Sequence, residues 1–253
     1  MSEMLTFDRR NKILEFVSEN GSAGVHELAK LLDTSESTVR RDLAELAKAG
    51  TLRKVHGGAR LASEEFINRE DVINVKVKKN YKEKLMIAEY AASLISDGDY
   101  VFIDAGSTTF LMTKFIAGSK ATFITNGIAQ AHELAKNGCR VMVLGGELKN
   151  TTEAIGGSVA AQNLQKYNFS KAFIGANGIT LKQGITTTDT REAIIKAVAI
   201  EHSFSSFVLA DSEKFGKVSA VTAASLDSVA IICDKCTDDT IKTKTVVKEV
   251  LKV

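Results

Sequence analysis

Hydroxyl and guanidinium groups recur at helical spacing between residues 35 and 46, where the chain reads Ser-Glu-Ser-Thr-Val-Arg-Arg-Asp-Leu-Ala-Glu-Leu. Wound as a helix, this run aligns Val39, Leu43 and Leu46 on one apolar stripe at i, i+4, i+7. A turn of about 100° per residue then sends Ser37, Arg41 and Lys48 to the opposite side, with Thr38 and Arg40 flanking them. Arginine pairs with guanine in the major groove, and Ser or Thr hydroxyls serve bases and phosphates alike. An ordinary amphipathic surface helix would show the same stripe, so the neighbouring segments must decide.

Those neighbours favour nucleic acid. Residues 1–39 carry Arg9, Arg10, Lys12 and Lys30 against seven acids, a net of −3. Residues 40–60 carry Arg40, Arg41, Lys48, Arg53, Lys54 and Arg60 against Asp42 and Glu45, a net of +4. Local positive charge, rather than the whole-chain +2, governs attraction to a phosphate backbone. The spacing of Ile13, Leu14 and Val17 predicts a first helix over Thr6–Asn20 with Gly21 as its stop. Val25, Leu28, Ala29 and Leu32 predict a short second helix over residues 25–32. Asp33 and Thr34 then turn the chain, and Ser35 is placed to cap the third helix, which ends at Ala49-Gly50. Two short helices joined by such a turn are a helix-turn-helix. Gly57-Gly58 between two short β-prone runs predicts a hairpin. Its Arg53, Lys54 and Arg60 could follow a phosphate strand, as the wing of a winged helix does. His56 fits either that role or a turn residue bonded to its own backbone.

A second set of chemical groups sits farther along. Short, nearly all-apolar runs begin at Tyr100, Thr122, Arg140, Lys171, Ser206 and Val229, and helical segments alternate with them. That rhythm predicts a mostly parallel sheet covered on both faces, with ligands bound at the carboxyl ends of its strands. Those ends carry Asp104, Gly106, Ser107, Thr108, Thr109, Thr125, Asn126, Gly127, Asp211 and Lys214. The run from Gly106 to Thr109 opens a helix, where N–H groups, hydroxyls and the dipole favour a phosphate. Asp104 and Asp211 can accept bonds from sugar hydroxyls, and Lys84 or Lys214 adds positive charge. Neither a G-x-G-x-x-G nor a G-x-x-x-x-G-K-[ST] pattern occurs, so dinucleotide and P-loop nucleotide binding lose support. Gly, Ser and Thr could equally be making turns, but five polar loops at successive strand ends suit a phosphorylated small molecule better.

Composition bounds the rest. The 253 residues allow a small and a larger domain, and 44% apolar content is globular. The expected layout is a DNA-binding domain over residues 1–61, a linker over 62–80 with one short strand near 72–77, and an α/β domain over 81–253. No apolar run reaches the ~18–20 residues of a membrane helix, and the start lacks a basic-then-apolar leader pattern. Three cysteines fit a reducing cytoplasm. Cys233 and Cys236 could suggest zinc, but four ligands are needed, and only Cys139 and four dispersed histidines remain. They read as a core thiol and a surface thiol, with no metal or cofactor expected. Lys242, Lys244, Lys248 and Lys252, among Ile241, Val246, Val247, Val250 and Leu251, read as a solvated closing segment.

The stretch T-S-E-S-T-V-R-R-D-L followed by L-x-K-V-H-G-G-A resembles the DNA-binding head of the DeoR family of bacterial sugar-metabolism repressors. The later motifs D-A-G-S-T-T, T-N-G, L-G-G, I-G-G, G-A-N-G-I and A-D-S-E-K-F-G follow in the order that family shows. The resemblance implies a winged helix-turn-helix, mostly α with a small β wing, joined to an α/β sensor like ribose-5-phosphate isomerase. It implies a homo-oligomer that binds operator DNA and lets go when a phosphorylated sugar binds. Gly184-Ile-Thr-Thr-Thr-Asp189 with Glu192, Ala193 and Lys196 is most similar to fructose-operon members, which respond to fructose 1-phosphate. Members responding to tagatose 6-phosphate share most of these loops. An isomerase with a DNA-binding head is the remaining alternative, using Asp104, Asp211 and Lys214 as base and electrophile, on fold analogy alone.

Overall fold

The computed structural model describes residues 5–48, 51–61, 65–67 and 70–250. The Ala49-Gly50 stop, residues 62–64 and 68–69 of the expected linker, and the last three residues lie outside them. The chain divides into two compact units, Met1–Glu65 with Thr180–Lys182, and Phe66–Ile179 with Gln183–Val253.

The first unit runs α1 (Thr6–Asn20), β1 (Ser22–Gly24), α2 (Val25–Leu31), α3 (Glu36–Lys48), β2 (Leu52–Val55) and β3 (Gly58–Leu61). Gly21 ends α1 in the left-handed region at φ 78°, its N–H reaching the Val17 carbonyl at 2.8 Å. Ser35 caps α3, its Oγ accepting the Thr38 N–H at 3.2 Å. Ile13, Val17, Leu28, Val39, Leu43, Leu46 and Leu52 share one core. The hairpin strands β2 and β3 pair antiparallel, and β3 also pairs with β1, a strand too short to announce itself in the sequence. Gly58 permits that closure, because a Cβ there would stand 2.1 Å from the Ala23 carbonyl oxygen. A polar bolt joins two helices of this unit. Asp42, 1% exposed on the inner side of α3, accepts bonds from Arg9 Nε at 2.6 Å and Arg10 Nε at 3.1 Å. A buried carboxylate is tolerated only when paired in this way.

The second unit begins with β4 (Glu65–Ile67), α4 (Ile73–Lys78) and α5 (Tyr81–Ser93). It continues with β5 (Tyr100–Ile103), α6 (Ser107–Met112), β6 (Thr122–Thr125), α7 (Ile128–Lys136), β7 (Arg140–Val143), β8 (Glu147–Lys149) and β9 (Ala154–Gly156). Then come α8 (Ser158–Leu164), β10 (Phe169–Gly175), β11 (Gly178–Thr180), β12 (Gly184–Thr187), α9 (Thr190–Glu201) and β13 (Ser203–Leu209). The chain closes with β14 (Lys217–Ser219), β15 (Val221–Ala224), β16 (Ala230–Cys233) and β17 (Val247–Glu249). Seven strands form the central sheet in the order β17-β16-β13-β10-β5-β6-β7, every pairing parallel. Phe123, Phe173, Ile103 and Leu111 anchor the core on one side of it. The order reverses between β5 and β10, which opens a crevice at their carboxyl ends.

Three expectations need correction. Residues 72–77 are not a strand but lie in the helical region of α4. Ile73 is buried and Val77 packs on the core one turn later, while Val72 and Val75 are exposed, so a helical period was hidden among β-branched residues. The closing segment supplies the edge strand β17, with Val247 opposite Ile231. Cys236 is buried, its Sγ donating to the Asp238 carbonyl at 3.2 Å, and so is not a surface thiol.

Lys84 of α5 ties α4 down. It is 2% exposed, and its Nζ donates to the Lys76 carbonyl at 2.5 Å and stands 3.8 Å from Asp211. Burial pushes its pKa down from 10.5 to about 8, with Asp211 opposing. The folded state therefore sheds this proton before the unfolded chain does, so stability attributable to Lys84 rises from pH 8 to 10.5 and is lost as pH falls back. In urea denaturation at about pH 7.5 and about pH 9.5, the parent should gain on Lys84→Met at the higher pH. Asp42→Ala, which leaves two arginines without their carboxylate, should destabilise the first unit by about 3 kcal/mol in the same measurement.

Candidate effector cleft and nucleic-acid face

On α3 the side chains of Ser37, Arg40, Arg41 and Lys48 are exposed and Thr38 is half-buried, as the helical spacing requires. They are not equally available. Ser35 Oγ contacts Ser37 Oγ at 2.8 Å and Thr38 Oγ1 at 2.9 Å, so the three hydroxyls form a cap cluster. Arg40 Nη2 donates to Glu36 Oε2 at 2.7 Å, while Arg41 makes no hydrogen bond or ion pair among the described residues.

The hairpin divides its charges by register. Arg53 faces Arg60 across the ribbon, whereas Lys54 faces the buried Ala59. Cross-strand partners share a face. Lys54 therefore lies on the core side, where it borders a hollow with Arg40, Leu43 and Gly57. Arg53 and Arg60 lie on the other face, and Arg60 Nε is buried without a partner. His56 is exposed in the turn. Two cationic sets, one on each side of the ribbon, are thus available for phosphates.

In the second unit a narrow cleft opens at the switch point. Of the residues the sequence singles out, Asp104, Gly106, Ser107, Thr108 and Lys214 line it. The Ser107 and Thr108 hydroxyls have no hydrogen-bond partner among the described residues. Lys214 is half-buried, and burial pushes its pKa down with Asp211 opposing. Asp104, 2% exposed, accepts the Gly175 N–H at 2.9 Å, and Lys196 Nζ donates to the same oxygen.

The other expected residues hold the loops in shape. Thr109 Oγ1 donates to the Asp104 carbonyl at 2.6 Å and accepts the Gly106 N–H at 2.9 Å. Thr125 Oγ1 donates to the Ile103 carbonyl at 2.5 Å and accepts from Gly127 N at 3.0 Å. Asn126 accepts from Ala105 N at 2.9 Å and donates to the Ile155 carbonyl at 3.1 Å. Asp211 accepts from Asn80 Nδ2 at 3.1 Å, and Lys84 is engaged beneath α4.

Five further polar residues line it, Glu70, Lys76, Asn177, Glu192 and Lys196, beside Ala105, Gly175, Ala176 and Leu209. Glu192 and Lys196 sit one turn apart on α9, an i, i+4 spacing visible in the sequence. Nothing in the aperiodic segment around Glu70 signals its role. Burial alone would raise the Glu70 carboxyl, but Lys76, Lys149 and Asn177 outweigh it and hold it well below the usual carboxylate range. Lys149 is raised despite burial by Glu70 and Glu192, which it meets at 2.7 and 2.9 Å. The lining thus combines free hydroxyls and an unpaired cation with buried carboxylates. Burial pushes the Cys233 thiol up to about 12 and raises Cys236 as well, and no group of His, Cys, Asp or Glu that could hold a metal occurs among the described residues.

Comparison with known proteins agrees with both halves. A DeoR-like helix-turn-helix domain matches residues 9–65, and a DeoR C-terminal sensor domain matches residues 79–235. A Bacillus subtilis protein, an uncharacterized HTH-type transcriptional regulator named FruR, is 38% identical over 98% of this chain and 99% of its own. A lactose phosphotransferase system repressor of Staphylococcus epidermidis is 38% identical over 85% of this chain and 86% of its own. The regulator GolR of Listeria innocua is 31% identical over 90% of each. Ribose 5-phosphate isomerase A of Methanocaldococcus jannaschii resembles 54% of this chain and 55% of its own, with a TM-score of 0.41 and 16% identity. The sequence relatives are regulators rather than enzymes, and the chain belongs to the DeoR family of DNA-binding transcriptional regulators.

Proposed function

We propose that this regulator represses a sugar-utilisation operon and is released from its operator by a phosphorylated sugar, with fructose 1-phosphate the best candidate. The observation that carries the reading is the mixed lining of the cleft. Unengaged Ser107 and Thr108 hydroxyls and the Lys214 ammonium suit a phosphate, while Asp104, Glu70 and Glu192 suit sugar hydroxyls. The run Gly184-Ile-Thr-Thr-Thr-Asp189 with Glu192 and Lys196, which is similar to fructose-operon members, supports the fructose branch. The lactose phosphotransferase system repressors favour the second reading, a different sugar phosphate such as tagatose 6-phosphate.

On the DNA side, Arg41 is the base reader and Ser37 its neighbour on the helix. Arg40, Lys48, Arg53, Lys54, His56 and Arg60 position phosphates, and Ser35 and Thr38 hold the helix start. A homo-oligomer, at least a dimer, sets two heads on repeated half-sites. Residues 1–61 read DNA and 81–253 sense, while the expected linker 62–80 also gives Glu70 and Lys76 to the cleft. Its place of work is the cytoplasm, where phosphorylated sugars are held; among the described residues no helix is long and apolar enough to cross a membrane.

Fructose 1-phosphate should raise the melting temperature of the full chain by binding only the folded state. It should also weaken operator binding by roughly 5- to 150-fold in fluorescence anisotropy at fixed salt. If only another sugar phosphate does so, the fructose assignment fails and the sensor class stands. Arg41→Ala should cost about 1–3 kcal/mol of operator affinity and relax specificity at one base pair. Unchanged affinity would remove Arg41 from the interface.

A further inference from the structure

Glu70 fills a position built for an anion. Its carboxylate, 6% exposed, meets four donors from separate parts of the fold. Lys76 Nζ comes from α4, Lys149 Nζ stands at 2.7 Å, Asn177 Nδ2 at 3.1 Å and Thr188 Oγ1 at 3.0 Å. Two ammonium groups, an amide and a hydroxyl are the donors a phosphate would otherwise attract. The neighbouring lysines are committed in the same way. Lys149 also serves Glu192, and Lys196 serves Asp104, so of the cleft's cations only Lys214 has no ion-pair partner among the described residues. The cleft lining therefore holds one uncommitted cation together with the free hydroxyls of Ser107 and Thr108.

We infer that Glu70 is a specificity-determining residue. It is a built-in anion occupying what would be a second phosphate position, so the cleft accepts sugars with one phosphate and rejects those phosphorylated at both ends. This rests on the sugar-phosphate reading above. A second phosphate must either evict Glu70, leaving a buried carboxylate without its lysines, or lie beside Glu70 and Glu192 as a like charge. The free end of a monophosphate presents hydroxyls, which donate to the same carboxylates at no such cost. Selectivity thus comes from a repulsive element as well as an attractive one.

The test is calorimetric titration of the full chain, parent and Glu70→Gln, with fructose 1-phosphate, tagatose 6-phosphate, ribose 5-phosphate and fructose 1,6-bisphosphate. The parent should prefer its best monophosphate over the bisphosphate by at least about tenfold, a difference of about 1.4 kcal/mol. Glu70→Gln, folded by circular dichroism, should narrow or reverse that preference, with the gain concentrated in the bisphosphate. Glu70→Asp keeps the charge and should keep the preference. A parent that binds monophosphate and bisphosphate alike overturns the inference whatever the variants do, and so does a folded Glu70→Gln with an unchanged ratio. A parent that binds none of the monophosphates defeats the sensor reading itself, and the selectivity with it.

Discussion

The second unit depends on what happens at one buried carboxylate. Asp104 leaves the end of β5 at 2% exposure, where an unpaired charge would be untenable. Its solution is to draw in two other elements, the Gly175 N–H at the end of β10 and Lys196 from the middle of α9. β5 and β10 are neighbours at the reversal of strand order, so the bond is made where the sheet would otherwise part. The same interaction brings α9 over the crevice and carries Glu192 with it. Glu192 reaches Thr152 and Lys149, and Lys149 reaches Glu70. The cleft is thus lined by two sets of charge pairs, Asp104 with Lys196 and Glu192 with Lys149 and Glu70, which α9 holds together.

That pairing explains what the sequence could show. The strand rhythm was legible because parallel strands buried on both faces must be nearly all apolar, and the runs at Tyr100, Thr122, Lys171 and Ser206 are. The recognition helix was legible because Val39, Leu43 and Leu46 keep a strict period and are buried as that period demands. Half of the cleft followed from strand ends alone. Thr109, Thr125 and Asn126 did not separate from Ser107 and Thr108, because a residue type that can hold a ligand can also satisfy a loop's own N–H and carbonyl groups. Sequence spacing does not say which partner wins. Glu70 was out of reach for a different reason, since its donors lie as far as 118 positions away.

The first unit shows how register refines a charge count. A net of +4 over residues 40–60 says that the segment attracts phosphate, but the ribbon's alternation assigns Lys54 to the side of α3 and Arg53 and Arg60 to the other. The cationic groups are therefore a bracket rather than a patch. Asp42 adds a constraint of its own, since the helix that presents Arg41 outward is held from behind by Arg9 and Arg10 of α1.

The two units also differ in when they can exist. Every pairing in the helix-turn-helix and its ribbon lies within the first 61 residues, whereas the cleft requires β10, α9 and Lys214. Domains fold in turn as a chain is synthesised, at roughly 5–20 residues per second. The helices and ribbon of the first unit are therefore made about 150 residues, or roughly 8 to 30 seconds, before Lys214, and only Thr180–Lys182 join that unit later. During that interval the new chain carries its helix-turn-helix but not yet the cleft of its sensor domain.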